Sequence, residues 1–112
     1  MDAISLDTLR ETLSEPWQPV DVVRVNDAIV RLARLEGEFP WHVHEEDELF
    51  LCWDGEFVIE LEEEAVQLNR GDVFVVRSGV RHRPVAERTA FALLLERPET
   101  LHYGNEESGV YA

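Results

Sequence analysis

Short runs in which apolar and polar residues alternate, each closed by a turn dipeptide, dominate this chain and leave few folds open to it. Val20 to Val25 is one such run, Asn26-Asp27 closes it, and Ala28 to Glu36 answers as a partner. Glu48 to Trp53 leads through Asp54-Gly55 into Glu56 to Leu61. A charged turn at Glu62 to Glu64, a run at Ala65 to Leu68, a turn at Asn69 to Gly71 and a run at Val73 to Val76 follow. Beyond a loop from Arg77 to Pro84, Thr89 to Leu95 supplies the last strong strand. Many short strands at near-regular spacing predict an antiparallel sandwich or barrel. One helix is predicted over about residues 5 to 14, where Leu6, Leu9 and Leu13 share a face, Ser5 is placed to cap and Pro16 stops continuation.

The full chain of 112 residues suffices for one compact domain, with a core over about residues 20 to 97 and a tail from about 98 to 112 expected to be loosely ordered or to cover one end. Its 24 acidic and 10 basic residues give a formal net charge of −14, which makes nucleic acid and anionic membrane poor partners. All ten basic residues are arginine, so no lysine is present to form a Schiff base. Cys52 is the single cysteine, lies in the apolar run Leu-Phe-Leu-Cys-Trp, and has no intrachain disulfide partner. A reducing cytoplasm is the expected compartment, and neither a signal peptide nor a membrane span is expected.

Chemistry concentrates around residues 37 to 55. On extended backbone His42 and His44 point to one face, and a bend through Glu45-Glu46-Asp47 brings Glu48 back on a neighbouring strand. Two imidazoles and a carboxylate then meet. Glu45, Glu46 and Asp47 compete as the carboxylate, but Glu48 opens the apolar strand and is the one held inward. A fourth candidate, His82, ends a second strand-and-loop segment, so three of the four histidines fall in two such units. Such a set suits Fe, Mn, Ni, Cu or Zn and leaves coordination positions open. Even-numbered side chains on the Glu48 strand place Phe50 and Cys52 beneath the site, as substrate contacts or as core. Arg77, Arg81 and Arg83 surround His82, either as an anion-attracting rim or in ion pairs with surface acids. Trp41 and Phe39 fall on the other face, Trp17 has no clear placement, and His102 has no partner at motif spacing and is expected in solvent.

These residues resemble the motifs of the cupin superfamily. The first family motif runs Gly, five residues, His-x-His, three or four residues, Glu, six residues, Gly; Gly37, His42, His44, Glu48 and Gly55 follow it with four residues after the first Gly. Gly71, Gly79 and His82 match the second, in which Arg77 stands for the family's Pro and Ala86 for its Asn. The resemblance covers roughly residues 28 to 97. It implies a small single-domain cupin with an RmlC-like jelly roll, an antiparallel double-sheet β-barrel. It also implies a divalent transition metal (Fe, Mn, Ni or Zn) held by His42, His44, Glu48 and His82. By the same resemblance the chain is expected to act on a small polar molecule as a dioxygenase, isomerase or decarboxylase, or to bind a small ligand without turnover. Phe50, Cys52, Arg77 and Arg81 are the expected substrate contacts. A homodimer paired through Val20 to Val25, with Trp17 beside it, is expected because a small sheet has edges to protect.

Overall fold

A computed structural model describes residues 2–104. Helix α1 (Leu6–Arg10) is followed by β1 (Val20–Val25), β2 (Ala28–Glu38), β3 (Glu48–Asp54), β4 (Phe57–Leu61), β5 (Ala65–Leu68), β6 (Val73–Val76) and β7 (His82–Glu96). All ladders are antiparallel, in the order β1-β2-β7-β3-β6, with β4 pairing to β5 and β7. Burial alternates along the strands, as along β3, where Glu48, Phe50 and Cys52 are buried and their odd-numbered neighbours are not.

The architecture turns on β7. Its first residues pair with β4, from His82 opposite Leu61 to Val85 opposite Val58, and its last with β3, from Phe91 opposite Asp54 to Leu95 opposite Leu49. Between them Glu87, Arg88 and Thr89 are exposed. The strand thus passes from one half of the sheet to the other. Beside it β2 shifts register between Leu35 and Gly37. Phe57, Ile59 and Leu68 from the β4–β5 half pack with Ala33, Phe50, Ala92 and Leu94 from the other, enclosing one core. Full burial of a side chain such as Phe57 or Ile59 contributes about 1.5–3 kcal/mol.

Three expectations require correction. No ladder joins β1, β5 or β6 to one another, so among the described residues the strands form a folded-over sheet with free edges instead of a closed barrel. The segment expected as a loop to Pro84 already belongs to β7, because backbone pairing with β4 continues through Arg83 and Pro84 although Pro84 has no N–H to give. The helix stops at Arg10. Ser5 Oγ caps it by accepting from Thr8 N at 3.2 Å, but Thr12 and Leu13 donate three residues back, to Leu9 and Arg10, and Thr12 Oγ1 also takes the Leu9 carbonyl.

The expected turns are present. Asn26 takes φ 52°, and Gly55 takes φ 82° where a Cβ would stand 3.1 Å from the Ala90 backbone. No helix among the described residues is long and apolar enough to cross a membrane.

The outer face of the large half-sheet carries two apolar rows. Cross-strand partners align Val23, Val30, Leu95, Leu49 and Val75 in one, and Val20, Leu32, Leu93, Leu51 and Val73 in the next. Helix α1 lies against β2, and Leu32 is fully buried. Val23, Val73 and Leu95 remain more than 40 % exposed.

Candidate metal centre

His42 follows Pro40 and Trp41 in the connection after β2, where the chain still runs beside β7. Phe39 N donates to Pro84 O, and His42 and His82 then exchange both backbone hydrogen bonds, at 3.0 and 2.9 Å. In such a pair the two side chains stand on the same face. The ring centroids are 4.3 Å apart. Alternation adds His44 to that face, its carbonyl fixed by Gly79 N at 2.9 Å, and Glu48 enters from the start of β3. None of the four is more than 3 % exposed, and one donor atom from each lies within 4.8 Å of all the others.

Hydrogen bonding sets the tautomers. His42 Nδ1 lies 2.9 Å from Pro40 O and His82 Nδ1 lies 2.9 Å from Val80 O. A carbonyl only accepts, so each Nδ1 carries the proton and each Nε2 keeps a lone pair turned toward the cluster. His82 Nε2 and both ring nitrogens of His44 are buried without a hydrogen-bond partner. His44 Nε2 does lie 3.4 Å from Glu48 Oε1, but that contact is too long to satisfy it. Burial holds the His42 imidazole neutral, with the neighbouring His82 adding to the effect, and its pKa falls to about 3. Orphaned buried nitrogens beside a carboxylate are the requirement of a metal site. A divalent ion with donors about 2.0–2.2 Å away separates neighbouring donors by roughly 3 Å and opposite ones by about 4.2 Å. The four residues fit a transition metal with imidazole and carboxylate ligands.

The competing acids lie elsewhere. Asp47 accepts from Ser78 N at 2.7 Å and from Arg77, while Glu45 is exposed and Glu46 stands outside the cluster.

Behind Glu48 lies a carboxyl that the sequence reading did not single out. Glu96, the inward-facing end of β7, is 4 % exposed, hydrogen-bonded to Glu48 and contacted by Arg31 Nη1. Burial raises the Glu96 carboxyl to about 9, with the bond to Glu48 and that group's charge adding to the rise. Burial also pushes Glu48 up, yet the neighbouring Glu96 carboxyl and the His44 and His82 imidazoles facing it hold it well below the usual carboxylate range. The Arg31–Glu96 contact has the geometry of an ion pair, whereas a pKa near 9 makes Glu96 neutral at pH 7. The neutral form is favoured, because Glu96 Oε1 is otherwise buried without a partner and a proton on it bonds to the Glu48 anion. Arg31 also donates to Asp21 at 3.0 Å and to the carbonyls of Pro98 and Thr100. The signal in the sequence was a charged residue on the apolar, even-numbered face of the last strand, and likewise Arg31 between Ile29 and Ala33.

A small cavity of about 40 Å³ adjoins the cluster, lined by Trp17, Pro19, Ala33, Leu35, Phe39, His42, Glu48, Phe50, Pro84, Leu94 and His102. Phe50 faces the site. Cys52 lies deeper, its thiol donating to Gly55 O at 3.2 Å and its pKa raised by burial. Arg77 is exposed and paired with Asp47, and Arg81 lies over the Trp41 ring at 4.9 Å, so neither is brought to the cavity. Arg83 pairs with Glu60 at 2.5 Å. Trp17, expected beside the Val20 to Val25 contact, packs on Phe39 at 5.0 Å between ring centroids and lines the cavity. His102, although exposed at the surface, stands on the cavity rim. A larger open cleft of about 850 Å³, bordered by Glu56, Arg70, Glu87 and Arg88, contains none of the four ligand candidates. The smaller cavity is the one with chemistry.

The comparisons with known proteins agree with this geometry. A cupin domain family matches residues 28–96. The uncharacterised protein YdbB of Bacillus subtilis (strain 168) is 39 % identical over 81 residues, covering 70 % of this chain and 72 % of its own. A cupin-2 domain protein from Shewanella frigidimarina superposes with a TM-score of 0.82 at 28 % identity, covering 85 % of this chain and 94 % of that one. Protein NMB1881 of Neisseria meningitidis gives a TM-score of 0.78 at 26 % identity, covering 86 % and 99 %. With the strand order, the buried His-His-Glu-His cluster and the match from Ala28 to Glu96, this chain belongs to the cupin family.

Proposed function

We propose that this cupin is a metal-dependent enzyme acting on a small molecule, of the dioxygenase, isomerase or decarboxylase type. The observation that carries the reading is the convergence of four buried donors, two of them with tautomers fixed by backbone carbonyls. His42, His44, Glu48 and His82 would hold a divalent ion such as Fe, Mn, Ni or Zn. A bound ion supplies a Lewis-acid position with room for substrate. The chain's own groups do the rest: Glu96 and Arg31 fix the Glu48 carboxylate from behind, and Phe39, Phe50 and Leu94 keep water from the cavity. Phe50 is the expected substrate contact. Cys52, Arg77 and Arg81 lie away from the cavity and are not carried into this reading.

The second reading is a binding module that holds metal and ligand without turnover, and the small cavity favours it. Metal analysis of protein purified without an affinity tag, then oxygen-uptake and product screening of the loaded protein, decides between them. Bound metal with turnover of any candidate supports the enzyme, and bound metal with ligand but no turnover supports the module.

A homodimer in the cytoplasm completes the reading. The two apolar rows on the outer face are its proposed contact, a surface of the kind that self-association buries.

A further inference from the structure

The residues after β7 form a strap across the metal pocket. Arg31 anchors it by donating to Pro98 O and Thr100 O, at 2.8 and 3.3 Å. Tyr103 stacks on Phe39 with ring centroids 5.1 Å apart and planes at 22°. Gly104, at φ 94°, then passes so close that a Cβ there would stand 2.8 Å from His42 Cβ and from Val43 O. Only glycine permits that approach. The strap therefore lies against the ligand strand itself and sets His102 on the pocket rim.

Under it the walls are almost entirely carbon, from Trp17, Leu35, Phe39, Phe50 and Leu94. Apart from His102 on the rim and the donors turned to the metal position, the polar atoms of the lining are already committed. Trp17 Nε1 donates to Glu36 O at 3.0 Å, His42 Nδ1 faces Pro40 O, and Glu48 is bonded to Glu96. No arginine lines the pocket. A hydroxyl or charge on the body of a bound molecule would be stripped of water with nothing to replace it, at a cost of roughly 1–3 kcal/mol for a neutral group and more for a charge. The cavity, at about 40 Å³, has room for about three waters, so the body it takes is short.

We propose that the pocket takes a short-chain molecule with one oxygen head for the metal and an uncharged hydrocarbon body, and that His102 on the strap is its one further polar partner. The inference rests on the metal-centre reading above and narrows it from any small polar molecule to a short apolar one.

The test uses the full chain loaded with Co(II), whose visible spectrum changes when a ligand enters its coordination sphere. Butyrate, 4-hydroxybutyrate and succinate share a head and a chain length and differ only at the far end. Butyrate should bind at least tenfold more tightly than either of the others, and equal or reversed affinity overturns the apolar-body assignment while leaving the metal centre standing. His102→Phe keeps a ring to pack on Tyr103 but removes the donor; it should retain the cobalt and weaken butyrate at least fivefold, and unchanged affinity overturns the role of His102. If the wild-type protein takes up no cobalt, the metal-centre reading falls, and this inference with it.

Discussion

Glu96 stands directly behind Glu48, so that the carboxylate facing the imidazoles is backed by a second carboxyl holding a proton. Their pKa values are shifted in opposite directions, and together with His42 they set the pH behaviour of the metal-free protein. Glu96 is raised in the fold to about 9 from 4.5, so its contribution is fully present below pH 4.5 and is lost as pH rises toward 9. His42 is lowered to about 3 from 6.5, so its contribution is present above pH 6.5 and is lost as pH falls toward 3; Glu48, also lowered, adds to that acid limb below 4.5. Metal-free protein should therefore be most stable between about pH 4.5 and 6.5, falling by up to several kcal/mol on either side. Glu96→Gln keeps a donor to Glu48 without a titrating proton, and in urea titrations it should flatten the alkaline limb. An alkaline limb as steep as that of the wild type would contradict the proton on Glu96.

Metal content should depend on the four converging side chains one at a time. Ala at His42, His44, Glu48 or His82 should lower occupancy by tenfold or more in elemental analysis, whereas His102→Ala should not change it. Occupancy should also fall as the medium is made acid, because an imidazole must be neutral to coordinate; at His42 burial moves that competition from protons down toward pH 3.

Arg31 joins the strap to the interior, so removing it should be felt at both ends. Arg31→Met should cost about 1–3 kcal/mol in urea denaturation through the carbonyls and carboxyl left without a donor. Amide exchange should accelerate over residues 98–104 before it does so in β3. Uniform acceleration would deny the clamp.

Leu95 sits at the middle of one outer apolar row, 41 % exposed. Leu95→Glu should leave the circular dichroism spectrum unchanged and convert a dimer to a monomer in solution scattering at micromolar concentration. A wild-type monomer under the same conditions removes the proposed contact.

Much of this was readable beforehand because strand runs and the turns between them stand out in sequence: Glu48 to Trp53, closed by Asp54-Gly55, is a strand whose burial alternates. The three histidines and Glu48 were legible for the same reason, each at a fixed offset from a strand or turn. What escaped notice depended on pairing between distant segments. His82 to Pro84 reads as loop because Pro84 and the arginines at 77, 81 and 83 interrupt the pattern, yet partners on β4 and at Phe39 and His42 make it strand. Glu96 looked like the end of a strand, and only its neighbours Glu48 and Arg31 reveal its task. His102 lies far along the chain from the motif and reaches it through a strap that no periodicity announces. Residues 105–112, the rest of the expected tail, lie outside the described residues.

The two-way backbone bond between His42 and His82 has a consequence for how such a chain can change over generations. Two of the four donors are aligned by main-chain atoms, which no substitution of a side chain removes. A descendant can therefore exchange Glu48 or His44 and lose its metal while its architecture persists, and a later reversal finds the remaining donors still in register. The scaffold retains the position of the site even when the chemistry is given up, so within such a lineage a missing ligand residue is weak evidence of a different fold.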